Sequence, residues 1–144
     1  MRAFMPELIR ILVVDDHETV RRGICSLLRS EPAFDVICEG ADGIEAVTRA
    51  EELQPEVIVL DISMPGMNGL EAAQRIRRVS PASGIVFLSQ HDTIETIREI
   101  FRIGGCGYVA KSDAAHDLAP AVRSASQKQR YVNRRFADQL RETS

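Results

Sequence analysis

Tryptophan is absent from this chain of 144 residues, and its three cysteines are scattered without a C-x-x-C pair. An odd, scattered set of cysteines argues against a disulfide framework and against a zinc site, so we expect free thiols in a reducing cytoplasm. No apolar run approaches the ~20 residues of a membrane span, and the N-terminal stretch does not have the form of a secretory signal. What remains, with 44% hydrophobic and 27% charged residues, is typical of one globular domain.

Lysine and basic charge are also scarce in most of the chain. The only lysines are Lys111 and Lys128, and the net charge is −3. Residues 121–144 hold six basic and two acidic side chains, a balance of +4, which leaves −7 for the first 120 residues. An acidic body of this kind repels nucleic acid. We therefore expect no direct, specific binding of DNA by this part of the chain.

Apolar runs and helical patterns alternate five times along the sequence. The runs lack polar alternation, which is typical of strands buried on both faces of a parallel sheet. We predict strands at residues 9–14, 34–38, 57–60, 84–89 and 107–112. A parallel sheet covered by helices on both faces collects its functional groups at the carboxyl ends of the strands. The class is therefore α/β, and those strand ends are the place to look for a site.

Polar residues mark the expected starts of several helices. Asp42 and Asn68 each precede a glutamate by three residues, which is the pattern of a helix N-cap. Asp92 or Thr93 stands in front of another segment with apolar residues at helical spacing. A further short helix is predicted after Asn133 in the C-terminal stretch.

Pro120 constrains the helix that follows the fifth strand. Proline lacks the N–H that a helix interior uses, but in the first turn that group has no partner to lose. We therefore predict that this helix starts near His116 or Asp117.

The predicted strands end in side chains that carry chemistry. Asp15 and Asp16 follow the first strand, Asp61 follows the third, Ser89 the fourth, and Lys111 stands at the end of the fifth. Each has an ordinary alternative, as a helix cap, a turn residue or a solvated surface lysine. Because four strands of five would have to coincide by chance, we favour a functional site at this edge.

Three carboxylates, a lysine and a hydroxyl form a set that suits phosphoryl transfer. Clustered carboxylates repel one another unless a cation neutralises them, and oxygen ligands with few other protein donors suit Mg²⁺. A carboxylate beside Mg²⁺ can act as a nucleophile and form an aspartyl-phosphate, while a lysine and a hydroxyl bind the phosphoryl oxygens. The end of the second strand, EGAD at residues 39–42, has no assigned role.

Four stretches closely resemble the receiver domain of two-component response regulators: ILVVDDHETVRRG, VIVLDISMPGMNGLE, IVFLSQHD and GGCGYVAKSD. The resemblance implies a flavodoxin-like (βα)5 fold, a doubly wound five-stranded parallel sheet with strand order 2-1-3-4-5. It also implies a receiver over residues 1–128 and an extension or linker over residues 129–144. The tail LAPAVRSASQKQRYVNRRFADQL is most similar to the subfamily with a LuxR-type (NarL/FixJ-like) helix-turn-helix output domain, which this sequence does not contain.

The resemblance also implies roles for the residues at the strand ends. Asp61 matches the phosphoacceptor. Asp16, Asp61 and the backbone carbonyl of Ser63 would ligate Mg²⁺, whereas Asp15 would act through a metal-bound water. Lys111 would pair with Asp61 at rest and with the phosphoryl group in the active state.

Two further positions match the conformational switch of the family. Ser89 matches the switch hydroxyl, with serine where threonine is frequent, and Tyr108 matches the switch aromatic. An ordinary core aromatic is the alternative for Tyr108. Pro65 and Gly69 match the loop that shapes the site.

Other positions depart from the commonest pattern or have no assigned role. Ser112 stands where many receivers have proline, so the cis peptide bond found there in the family is not assumed. Ser63 and His91 occupy positions that tune the lifetime of the phosphoryl group in the family. His17 and His116 are interpreted as surface or capping residues.

These observations together predict a signalling switch that accepts a phosphoryl group from a sensor histidine kinase. It would catalyse its own phosphorylation without being an enzyme in the usual sense, and would reach DNA only through an output domain, with a homodimer possible on phosphorylation. A stand-alone receiver that acts by protein–protein contact is the alternative. An aspartyl-phosphate phosphatase of the haloacid dehalogenase type is disfavoured, because Asp61-Ile62-Ser63 lacks the second acid of its D-x-D motif. A flavodoxin-like FMN carrier needs no acid cluster, and a pseudo-receiver would lack some of the site residues.

Overall fold

Five parallel strands form a single sheet in the order β2-β1-β3-β4-β5, in a computed structural model that describes residues 7–90 and 93–142. The strands are β1 Ile9–Val14, β2 Phe34–Gly40, β3 Val57–Asp61, β4 Gly84–Ser89 and β5 Gly107–Ala110. The helices are α1 Glu18–Arg29, α2 Gly43–Leu53, α3 Gly69–Val79, α4 Ile94–Arg102, α5 Ala114–Ser126 and α6 Arg134–Glu142. The predicted flavodoxin-like fold and its strand order are confirmed.

The apolar runs are unbroken because both faces of the sheet are covered. Alternate residues of each central strand enter two separate cores, one beneath α1 and α5 and the other beneath α2, α3 and α4. In β1, Ile11 and Val13 lie in the first core and Leu12 and Val14 in the second. Every residue of β3 and β4 is buried. Within the described residues, no helix is both long and apolar enough to cross a membrane.

The predicted helix caps are confirmed wherever the structure describes them. The side chains of Asp42 and Asn68 accept hydrogen bonds from the backbone N–H groups three residues on, at 2.8 and 2.9 Å. Thr93 caps α4 in the same way at 3.1 Å, whereas Asp92 lies outside the described residues. Asn133 caps α6 by accepting from the N–H of Phe136 at 3.2 Å.

The predicted start of the fifth helix is wrong. β5 ends at Ala110, a 3-10 turn covers Lys111–Asp113, and α5 begins at Ala114, so that Pro120 lies in the second turn. The helix tolerates the missing N–H because its inward face packs against the sheet. That face carries Leu118, Ala121, Val122 and Ala125. Burial of these side chains outweighs a local preference worth about 3 kcal/mol. The described residues contain no cis peptide bond.

The chain continues past α5 along the outer edge of the sheet. We call residues 129–142 the C-terminal arm. Tyr131 forms an isolated parallel bridge with Gly107 of β5, and α6 then packs against α4. The arm therefore covers the β5 edge of the sheet and contacts the core beneath α4.

Candidate functional site

Three aspartates meet at the carboxyl edge of the sheet. Asp15 and Asp16 follow β1 directly, and Asp61 is the last residue of β3, the neighbouring strand. Asp15 and Asp61 are buried, whereas Asp16 keeps about a fifth of its side chain exposed. Because β1 and β3 pair in parallel, all three aspartates lie at the same edge of the sheet, as expected for functional groups at the carboxyl ends of parallel strands.

Lys111 reaches into this cluster from the turn after β5. Its Nζ lies 2.9 Å from Oδ2 of Asp15 and 3.2 Å from Oδ2 of Asp61, and its side chain is only 10% exposed. Burial lowers the pKa of Lys111, but the hydrogen bond to Asp15 and the two carboxylate charges outweigh it, so the pKa is raised. Lys111 is therefore a buried cation shared by two carboxylates.

The carboxyl group of Asp61 holds its negative charge at a cost. Burial, and after it the charge of Asp15, raise its pKa from 3.8 to about 6, against the lowering effect of Lys111 and of the Ser63 N–H. A single lysine thus does not neutralise the acids.

This donor set fits a divalent cation. Oxygen atoms of the three aspartates and a ring nitrogen of His17 all lie within 4.8 Å of one another. One lysine facing three carboxylates leaves an excess of about two negative charges. Asp16 Oδ1 is buried and has no hydrogen-bond partner among the described residues. Oxygen-rich sites of this charge suit Mg²⁺, so the acidic pocket is able to bind a metal.

The loop between β3 and α3 is folded tightly around Asp61. The N–H of Ser63 donates to Asp61 Oδ1 at 3.1 Å, and the N–H of Gly69 donates to the carbonyl of Ile62 at 2.8 Å. A Cβ on Gly69 would lie 2.2 Å from the carbonyl oxygen of Asp61, so only glycine fits there. Pro65 is exposed at the outer part of this loop.

Ser89 and Tyr108 project from the same face of the sheet. In the pairing of β4 with β5, Phe87 lies opposite Tyr108 and Ser89 lies opposite Ala110. Ser89 is therefore two residues further along the sheet than Tyr108, on the neighbouring strand. Ser89 is buried at the end of β4, and Tyr108 is 2% exposed in the core beneath α4. Ser89 therefore lies at the end of the strand beside Asp61, and Tyr108 lies in the core beneath α4, although a buried Tyr108 also fits an ordinary core position.

The interpretation of His17 as a surface or capping residue is confirmed, whereas its contact with the acid cluster was not predicted from the sequence. His17 occupies the N-cap position of α1 without a capping hydrogen bond, and its 61% exposed ring lies 3.2 Å from Asp16 Oδ1. Its place directly after two aspartates was the available signal. In EGAD, Glu39 pairs with Arg21 at 3.0 Å and Asp42 is the predicted cap of α2, so these two residues stabilise the fold. His91 lies outside the described residues.

The chain is similar to known response regulators over most of its length. The response regulator receiver domain family matches residues 11–123. The transcriptional regulatory protein LiaR of Bacillus subtilis (strain 168) is 38% identical over 119 residues, which is 83% of this chain and 56% of LiaR. The response regulator GacA of Pseudomonas protegens is 33% identical over 133 residues, which is 92% of this chain and 62% of GacA.

Solved structures agree with this assignment. A two-component response regulator of the LuxR family from Aurantimonas sp. SI85-9A1 superposes with a TM-score of 0.90 at 31% identity, covering 95% of this chain and 98% of that one. The signal receiver domain of the putative response regulator NarL from Mycobacterium tuberculosis superposes with a TM-score of 0.80 at 28% identity, covering 85% and 98%. The chain spans 56% to 62% of the length of LiaR and GacA. By sequence and by fold, it belongs to the response regulator receiver family.

Proposed function

We propose that this chain is a phosphorylation-dependent switch in which Asp61 accepts a phosphoryl group from a sensor histidine kinase. The observation that carries the proposal is the sharing of Lys111 between Asp15 and Asp61 at the edge of an acidic pocket. A structural ion pair would need one carboxylate, whereas a phosphoacceptor site needs excess oxygen ligands and a cation close to the acceptor.

The positions of the described side chains support a transfer of this kind. An oxygen of Asp61 forms the new bond to phosphorus while the bond from phosphorus to the kinase imidazole breaks, and the imidazole nitrogen keeps that electron pair. Mg²⁺, when bound, would neutralise charge on the phosphoryl oxygens. Ser63 N–H fixes one carboxylate oxygen of Asp61, and the Lys111 ammonium is within reach of the other. Asp61 is thereby oriented before the donor arrives.

Phosphorylation of Asp61 is the direct test of the proposal. Acetyl phosphate with Mg²⁺ should add one phosphoryl group per chain, detected by intact mass spectrometry. Asp61→Asn should reduce the adduct at least 100-fold, because no carboxylate remains at the end of β3. Full labelling of Asp61→Asn would show that another residue is the acceptor, and no labelling of the wild type would count against the proposed function.

Asp15 and Asp16 should contribute unequally to metal binding. Asp15 is already held by Lys111 Nζ at 2.9 Å and by the N–H of His17 at 2.8 Å, whereas Asp16 Oδ1 faces the exposed ring of His17 at 3.2 Å. We expect Asp16→Ala to weaken Mg²⁺ binding by about tenfold or more, and Asp15→Ala to weaken it less. Calorimetric titration of both variants measures this, and equal affinity in the wild type and Asp16→Ala would remove Asp16 from the ligand set.

The wider role of the protein follows from the relatives and is part of the proposal. LiaR and GacA are named as a transcriptional regulatory protein and a response regulator, and this chain matches only part of each. Control of transcription through an output domain outside these 144 residues is therefore favoured, and homodimerisation on phosphorylation fits that role. A stand-alone receiver is the second candidate. Turnover of a small phosphoester would instead favour a phosphatase, for which the D-x-D motif is missing.

A further inference from the structure

The C-terminal arm is joined to β5 by backbone hydrogen bonds. Tyr131 accepts a hydrogen bond from the N–H of Tyr108 at 3.1 Å and donates its own N–H to the carbonyl of Cys106 at 2.7 Å. Its side-chain hydroxyl donates to Asp117 Oδ1 of α5 at 2.8 Å. Burial and the neighbouring Asp117 raise the pKa of Tyr131 to about 12, so the hydroxyl remains a donor at neutral pH. The arm is thus attached to the strand that carries Tyr108.

A second contact links α6 of the arm to the side chain of Tyr108. The ring of Phe136 meets the ring of Tyr108 edge to face, with centroids 5.7 Å apart and planes at 85°. Both residues are buried in the core beneath α4. The hydroxyl of Tyr108 is buried too, and it has no hydrogen-bond partner among the described residues. Burying a hydroxyl without a hydrogen-bond partner costs free energy, so no hydrogen bond of the hydroxyl to the described residues fixes the ring of Tyr108. The packing of neighbouring side chains, among them Phe136, holds the ring in this position.

Other residues of the arm contact α4 and the core beneath it. Arg130 lies over the ring of Phe101 at 5.0 Å, at the exposed surface. A groove of about 310 Å³ remains between α4 and the arm, lined by Arg98, Phe101, Arg102, Arg130 and Leu140. Val132 and Leu140 of the arm are partly buried against the same core, whereas Tyr131 and Phe136 contact Tyr108 itself, so a change at Tyr108 acts on both of these contacts.

We infer that the arm is an output element of this receiver, and that Phe136 senses the position of Tyr108 and transmits the state of Asp61 to the arm. The inference rests on the proposed phosphorylation switch. A shift of the Tyr108 ring toward Ser89, which lies one step along the same sheet face, withdraws it from Phe136. Loss of an edge-to-face contact then weakens the hold on α6, so phosphorylation loosens the arm. The backbone bonds of Tyr131 to β5 should then open more often, because Tyr131 and Phe136 belong to the same short arm.

Amide exchange at two residues tests the inference directly. The N–H groups of Tyr108 and Tyr131 are both protected by the bonds that join the arm to β5. Adding beryllofluoride with Mg²⁺, as a phosphoryl mimic, should accelerate exchange at Tyr131 by about tenfold, the scale expected for loss of one aromatic contact. The loop at residues 62–69 reports binding of the mimic independently, by slower exchange.

Phe136→Leu is the informative variant, because it retains an apolar side chain and removes the aromatic contact. We expect its arm to remain docked but to respond to beryllofluoride less than twofold. Leu140→Met, a similarly conservative change on the same helix at a residue that lines the groove and packs against the core without being in the ring pair, is the matched control and should keep the tenfold response.

The possible outcomes separate this inference from the proposed function. If the loop at residues 62–69 does not respond in the wild type, the phosphoacceptor proposal fails. A loop that responds while Tyr131 does not would overturn the arm as an output element and leave the phosphoacceptor intact. A full tenfold response in Phe136→Leu would show that Phe136 is not the sensor.

Discussion

Lys111→Met should lower the free energy of unfolding by about 3 kcal/mol at pH 8 in the absence of divalent metal. The substitution retains a long apolar side chain but removes the buried ammonium that lies between Asp15 and Asp61. Both carboxylates are then left in a buried site without a cation, and removing one partner of a buried ion pair is far costlier than removing an exposed one. The loss should already shrink as the pH falls toward about 6, because removing Lys111 removes its lowering effect on the pKa of Asp61 and lets this carboxyl group protonate at a higher pH than in the wild type.

Asp61→Asn, at the other side of the same ion pair, should have the opposite effect. Folding raises the pKa of Asp61 from 3.8 to about 6, so between these pH values the folded chain binds more protons than the unfolded chain. The contribution of Asp61 to wild-type stability therefore falls as the pH rises through this window and is constant above it. Asparagine does not ionise, so the free energy of unfolding of Asp61→Asn should exceed that of the wild type. The difference should grow from near zero at pH 4 to as much as about 3 kcal/mol at pH 8.

Urea denaturation of the wild type and of both variants from pH 4 to pH 8, with a chelator present, measures these differences. Mg²⁺ should then stabilise the wild type more than Asp61→Asn, because the excess negative charge that it neutralises is smaller in the variant. Destabilisation of Asp61→Asn at pH 8 would mean that the charge of Asp61 stabilises the fold. It would contradict the conclusion that burial and Asp15 make this charge unfavourable.

Gly69→Ala should lower the free energy of unfolding by about 3 kcal/mol or more. The added methyl group would lie 2.2 Å from the carbonyl oxygen of Asp61 and 2.7 Å from the Cα of Ile62. Both neighbours are backbone atoms of the loop after β3, so neither can rotate aside as a side chain does. The chain must move there, which displaces Asp61 and should weaken Mg²⁺ binding as well.

Gly23→Ala is the matched control for this prediction. Gly23 lies in the exposed middle of α1, and a Cβ there would meet nothing within 4 Å. Alanine has the higher helix propensity, so this substitution should raise the stability by about 0.5–1 kcal/mol. Thermal or urea denaturation of the two variants should therefore give shifts of opposite sign. Equal, small shifts would show that the β3–α3 loop relaxes freely around a larger residue.

The sequence alone determined which segments form the sheet and which residues stand at its functional edge. Unbroken apolar runs such as Val57–Leu60 can only be buried on both faces, and the capping roles of Asp42 and Asn68 depend on neighbours three residues away. These relations join residues close together in the chain, so they can be inferred from the sequence. Because functional groups of a parallel sheet gather at the carboxyl ends of its strands, the sequence also predicted that Asp61 and Lys111 lie at the same edge.

The tertiary structure decided the features that depend on residues far apart in the chain. The two-carboxylate contact of Lys111 joins positions 15, 61 and 111, and the α5 start at Ala114 follows from packing against the sheet that overrides the local preference of Pro120. Tyr131 docks on β5 and Phe136 docks on Tyr108, and no local pattern predicts either contact. A short segment such as QRYVN has no periodicity from which its contact partner could be inferred. Local periodicity specifies an element and its buried face, whereas the choice of contact among many apolar surfaces is made by the packing of the whole chain.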